Sequence, residues 1–92
     1  MYEIVFARRF KRSYKKISRS GQFDRKRLHD TLSFLRDGTP LPFERQDHAL
    51  SGDYQGCREC HLKGDILLIY EIRESVKTIV LIDIGSHSEL FG

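Results

Sequence analysis

The apolar positions change period three times along the chain. Residues 2–7 (YEIVFA) are short, β-branched and aromatic, and alternation places Tyr2, Ile4 and Phe6 on one face of a predicted strand. From Arg8 the period becomes helical. Phe10, Tyr14 and Ile17 recur at i, i+4 and i+7 among Arg9, Lys11, Arg12, Lys15 and Lys16. This predicts an amphipathic helix with a basic outer face, ending near Ser20-Gly21. A second helix is predicted behind Asp24, whose carboxylate can accept hydrogen bonds from first-turn N–H groups. Its stripe is Leu28, Leu32 and Leu35, helped by Thr31 and Phe34. Gly38 stands where a left-handed C-terminal residue belongs, and Pro40 and Pro42 forbid continuation.

Residues 38–56 show no period. A connection this long in a small domain tends to be functional or disordered, and its anchors Leu41, Phe43, Leu50 and Tyr54 predict that it is ordered. Three strands then follow. In 57–62, Cys57, Glu59 and His61 share one face, and Arg58, Cys60 and Leu62 the other. Lys63-Gly64 supplies a turn into the apolar stretches 65–72 (DILLIYEI) and 77–84 (KTIVLIDI). The unbroken apolar run 79–82 predicts a central strand covered on both faces. The tail Ser86-His87-Ser88-Glu89 matches S-x-x-E, a capping box for one terminal helical turn with His87 and Phe91 on the same side. The expected architecture is one α+β domain over residues 1–92. Its order is β-α-α-β-β-β, with a mainly antiparallel four-stranded sheet and a two-helix hairpin on one face. The other face is left as a groove, partly covered by the long connection.

Composition sharpens this picture. Ninety-two residues make a single domain with a small core. No apolar run approaches the roughly 20 residues that span a bilayer, and the opening residues lack the order of a signal peptide. A cytoplasmic protein with no membrane partner is expected, its two cysteines reduced. The net charge of +3 hides an asymmetry: residues 1–36 carry eleven Lys/Arg against three acids, and residues 37–92 five against ten. A basic helical half suggests a polyanionic partner, RNA or DNA first, the plain alternative being a solvated face.

The stretch 47–65 (DHALSGDYQGCRECHLKGD) concentrates the candidate chemistry. Cys57-Arg-Glu-Cys60-His61 matches the C-x-x-C-H haem attachment motif, but Met1 is the single methionine and no haem pocket is evident. A zinc site from Cys57, Cys60, His61 and His48 needs a tight turn that joins both sulfurs, whereas a strand points them apart. No metal and no cofactor are therefore expected. His48, His61 and His87 come from the connection, a strand and the tail; His29, on a helix, is the ordinary one. With Glu59, Asp65 and the basic surface, they suggest acid–base work on a polyanion.

DHALSGDYQGCRECH, the strand GD-ILLIYEI and the ending GSHSELFG together resemble the YafQ branch of the RelE/ParE toxin superfamily, most specifically over residues 47–92. The resemblance implies a RelE/ParE-like fold and a type II toxin, an endoribonuclease (mRNA interferase) that cleaves mRNA at the ribosome. It implies a cognate DinJ/RelB-like antitoxin as partner, mRNA and rRNA as targets, and operator DNA only through the antitoxin complex. The catalytic residues then fall on His48, His61, Asp65 and His87. His48 or His61 would take the 2′-OH proton, His87 would protonate the 5′-oxygen, and Asp65 would orient a neighbouring histidine. Phe91 would stack on a base, Glu59 would assist His61, and Lys11, Arg12, Lys15 and Lys16 would contact rRNA phosphates. Arg58 is a phosphate candidate, although its parity suggests a structural ion pair instead. Relatives often carry a cation where this chain has Asp83, so Lys63, Arg45 or Arg58 would have to substitute. A non-catalytic ParE-like topoisomerase inhibitor, or an antitoxin-binding corepressor, is the competing reading.

Overall fold

In the computed structural model, which describes residues 1–21 and 23–92, the chain runs β1 (Glu3–Phe6), α1 (Arg8–Ile17), α2 (Arg25–Asp37), β2 (His48–Ala49), β3 (Arg58–His61), β4 (Ile66–Arg73), β5 (Thr78–Ser86) and α3 (His87–Phe91). The sheet order is β1-β5-β4-β3-β2. β1 pairs parallel with β5, and every other pair is antiparallel. The expected α+β layout holds, with one strand more than the four predicted. The addition is the two-residue β2, too short for any alternation to reveal it.

The predicted helix signals act as expected. Asp24 accepts from the Arg27 N–H at 3.1 Å, and Gly38 takes φ 71° while its N–H bonds back to Leu35. α1 ends at Ile17, three residues short of the predicted stop.

Both helices lie on one face of the sheet. Phe10, Ile17, Leu28 and Leu35 pack there against Cys60, Leu62, Leu68, Tyr70, Ile79, Leu81 and Ile84. Burying each large aliphatic side chain stabilises the fold by about 1.5–3 kcal/mol, so this layer carries most of the stability. The opposite, open face has a smaller cluster of Leu67, Ile69 and Leu90, joined by Leu50, Tyr54, Cys57 and Ile82. The connection from Gly38 to Gly56 is held down by Leu41, Leu50 and Tyr54, whereas Phe43, expected as a fourth anchor, is 95% exposed because the 3-10 turn it begins leaves its ring outside both apolar clusters. It contains 3-10 turns at Phe43–Arg45 and Gly52–Tyr54. The buried Arg45 donates to Thr31 of α2 at 2.9 Å, and the Leu50 N–H donates to the Cys57 carbonyl at 2.9 Å.

One irregularity matters for the open face. Tyr70 pairs with Leu81 but Ile69 pairs with Asp83, so β5 carries Ile82 as an extra residue. A bulge of this kind reverses the alternation beyond it. Leu81 faces the helices, whereas Asp83 and Gly85 stand opposite Ile69 and Leu67 in the register.

Candidate active site

Register alone assembles two rows across the open face. His48, Glu59, Ile69 and Asp83 are successive partners on β2, β3, β4 and β5, and His61, Leu67 and Gly85 form the next row. Glu59 is only 5% exposed, and its Oε1 lies 3.5 Å from His48 Nε2 and 3.7 Å from His61 Nε2. One carboxylate oxygen thus addresses both imidazoles. His48 is fixed further: its Nδ1 is 2.7 Å from the Gln46 carbonyl, which can only accept. Nδ1 therefore carries a proton, and Nε2 is the ring atom that faces Glu59.

The tail supplies the third histidine. Ser86 caps α3 through Glu89 in a complete capping box, as the S-x-x-E spacing predicts. His87, the first residue of α3, lies with its ring centroid 5.1 Å from that of Phe91, and Tyr54 meets Phe91 edge-on at 5.7 Å. Because Tyr54 also packs with Leu67 and Ile69, this aromatic chain stands over the two rows. Gly85 allows the tail to fold down so closely: a Cβ there would lie 3.1 Å from Glu89 Oε1. Phe91 keeps 40% of its surface exposed, unusual for a large apolar ring.

The remaining candidates are placed as follows. Asp65 is exposed in the turn before β4 and, among the described residues, makes no hydrogen bond or ion pair. The carboxylate that contacts His48 and His61 is Glu59, and among the described residues Asp65 meets neither. Arg58 follows its strand parity: Nη2 pairs with Asp47 at 3.0 Å, an ion pair rather than an open phosphate contact. The other substitute cations are also engaged elsewhere. Arg45 is bonded to Thr31, and Lys63 pairs with Asp24 at 3.6 Å. Asp83 instead draws a cation from α1, its Oδ2 lying 2.8 Å from Arg9 Nε. Lys16 approaches Glu89 at 3.7 Å. Lys11, Arg12 and Lys15 are exposed, with no ion-pair partner among the described residues.

Cys57 and Cys60 pack on opposite faces, Cys57 with the open-face cluster and Cys60 in the helix-side core. They cannot share a metal, and burial pushes the Cys60 thiol up to about 12. Sequence reasoning did not identify Arg9, Tyr54 and Tyr70 as contributors. Only Tyr54 left a signal, as an apolar anchor of the connection.

The sequence and the fold both have known relatives. The chain is 32% identical over 78 residues to the mRNA interferase toxin YafQ of Escherichia coli K12, covering 84% of this chain and 83% of that protein. A metal-bound toxin from Helicobacter pylori is similar in structure, with TM-score 0.90 and 40% identity over 99% of this chain and 100% of that one. The E. coli DinJ–YafQ complex contains a chain similar at TM-score 0.87 and 27% identity, covering 100% of both. A family model described as "Bacterial toxin of type II toxin-antitoxin system, YafQ" matches residues 2–92, and the chain therefore belongs to the YafQ family of type II toxins.

Proposed function

We propose that this chain is an mRNA interferase that cleaves RNA by metal-independent histidine acid–base catalysis at the ribosome, in the cytoplasm. The observation that carries this reading is Glu59 set between His48 and His61. In the reaction, His48 Nε2 takes the proton of the 2′-OH, and the 2′-oxygen attacks phosphorus. The bond from phosphorus to the 5′-oxygen breaks, and His87 protonates that leaving oxygen. The products are a 2′,3′-cyclic phosphate and a 5′-OH end. Glu59 supports positive charge on whichever of its two imidazoles holds the proton, with His61 as the second acceptor in that pair. Asp65, at the rim of the β3–β4 turn, would act on the substrate side of the groove. Phe91 offers its exposed surface to a base, a contact worth about 1–3 kcal/mol. Lys11, Arg12 and Lys15 would meet rRNA phosphates. The E. coli relative found in complex with DinJ supports an antitoxin partner for this chain, and operator DNA would be reached only through that complex.

The test is cleavage of mRNA on purified ribosomes by the wild type and by His48→Gln, His61→Gln and His87→Gln, with and without EDTA. Loss of one proton-transfer group should lower the rate by about 10²–10⁴-fold, leave 5′-OH ends in the wild type and be insensitive to the chelator. Undiminished growth arrest by His87→Gln without RNA fragments would favour a topoisomerase inhibitor instead. EDTA-sensitive cleavage would overturn the metal-free mechanism.

A further inference from the structure

His48 sits on a strand of two residues, which has almost no ladder of its own to hold it. A general base must keep its nitrogen within a few tenths of an ångström of its target, so the strand needs other anchors. The structure supplies them on the sheet face opposite the histidine. Neighbouring residues on extended backbone point to opposite faces, and Asp47 points its carboxylate the other way from His48. Arg58 Nε and Nη2 donate to it at 3.3 and 3.0 Å, and the Tyr70 hydroxyl donates to Asp47 Oδ1. Arg58 and Tyr70 are direct partners across β3 and β4, and Tyr70 is 1% exposed. The two donors therefore stand on inner strands of the sheet. Two residues earlier, the Arg45 to Thr31 bond fixes the same segment to α2. Between these anchors Gln46 takes φ 49°, a left-handed conformation that residues with a Cβ rarely adopt. That conformation accompanies the bond from His48 Nδ1 to the Gln46 carbonyl, and the flanking anchors hold it in place.

We propose that Asp47, clamped by Arg58 and Tyr70, is a positioning residue that sets the ring orientation and tautomer of His48. Arg58 thus serves the reaction from behind the sheet, through Asp47, and not by touching phosphate. The inference rests on the proposed catalytic role of His48, but its structural half can be read without any RNA.

The experiment uses the full chain carrying Tyr70→Phe or Asp47→Asn, with ¹⁵N-labelled histidine. In the wild type, the His48 ring nitrogens should report a single neutral tautomer with the proton on Nδ1. In both variants, signals should move toward a tautomer mixture. In the cleavage assay, kcat should fall about 3–10-fold for Tyr70→Phe and about 10–100-fold for Asp47→Asn, with KM within about twofold, the pattern of a misplaced group rather than lost binding. An unchanged His48 tautomer in both variants overturns the proposal, as does a lowered melting temperature with kcat intact. If the tautomer shifts but the wild type cleaves no RNA, the positioning stands and the nuclease reading falls.

Discussion

A buried carboxylate is tolerated where a cation or hydrogen-bond donors meet it, and among the described residues the ion-pair partners of Glu59 are two histidines. Nε2 of each ring is the atom that faces Glu59 Oε1. On the reading proposed above, this links the burial of Glu59 to the chemistry: a histidine that accepts a proton would find a counter-charge already in place. Glu59→Gln keeps the shape and removes the charge. We expect RNA cleavage to fall by roughly 10–10³-fold with little change in KM, a loss comparable to other cases in which the group orienting a histidine is neutralised. Single-turnover kinetics on ribosome-bound mRNA checks this, and an undiminished rate would remove Glu59 from the mechanism. The C-x-x-C-H run that surrounds Glu59 is the most conspicuous motif in the sequence. Its sulfurs pack on opposite faces, and the residue inside it that touches histidines is the glutamate.

At the scale of elements, the short helix α3 decides whether His87 is presented at all. Five residues cannot hold a helix by propensity, so the capping box does the holding. Hydrogen bonds from the Ser86 backbone and side chain hold the Glu89 carboxyl below its usual range, as the Arg27 N–H does for Asp24 at the start of α2. A carboxyl depressed in the folded state contributes stability above its unfolded pKa and loses it as pH falls through the folded value. Thermal melts of the wild type should therefore weaken on the acid side of the ordinary carboxyl range. Glu89→Gln should flatten that dependence, and an equally steep acid loss in the variant would show that α3 is held some other way. Ser86→Ala should cost about 1 kcal/mol at neutral pH. These caps were legible in the sequence because each is a local pattern: Asp24, Gly38 and the Ser86–Glu89 spacing all act within four residues. The parity of 57–62 was legible for the same reason, and it placed Glu59 with His61 and Arg58 away from them. β2 and the extra residue Ile82 were not. Both are consequences of pairing between distant strands, and the bulge is what sets Asp83 opposite Ile69. The reach of Arg9 to Asp83 belongs to the same class: nothing within a window of α1 or β5 announces it.

For the molecule as a whole, the charge asymmetry of the sequence becomes a division of surfaces. The exposed Lys11, Arg12 and Lys15 lie on α1, while His48 and His61 meet Glu59 on the open face of the sheet. On the reading proposed above, the helix supplies affinity for an RNA scaffold and the sheet supplies chemistry. Substituting Lys11, Arg12 and Lys15 together by Ser should reduce the slope of log affinity against log salt by about 2, since each phosphate contact on single-stranded RNA contributes about 0.7. Filter binding across a salt series measures this, and an unchanged slope would show that the basic face is only solvated. The pairing of β1 with β5 has a further consequence, in time rather than space. Glu3 partners Thr78, so the first strand finds its place only after β5 exists, and contacts of such long sequence separation form late and slowly. The meander β3-β4-β5, joined by short turns, can assemble before them. A chain still being translated thus has no finished sheet, and it has no complete trio of histidines until position 87 has been added. On the reading proposed above, a nascent chain that has not yet reached residue 87 therefore carries no complete active site.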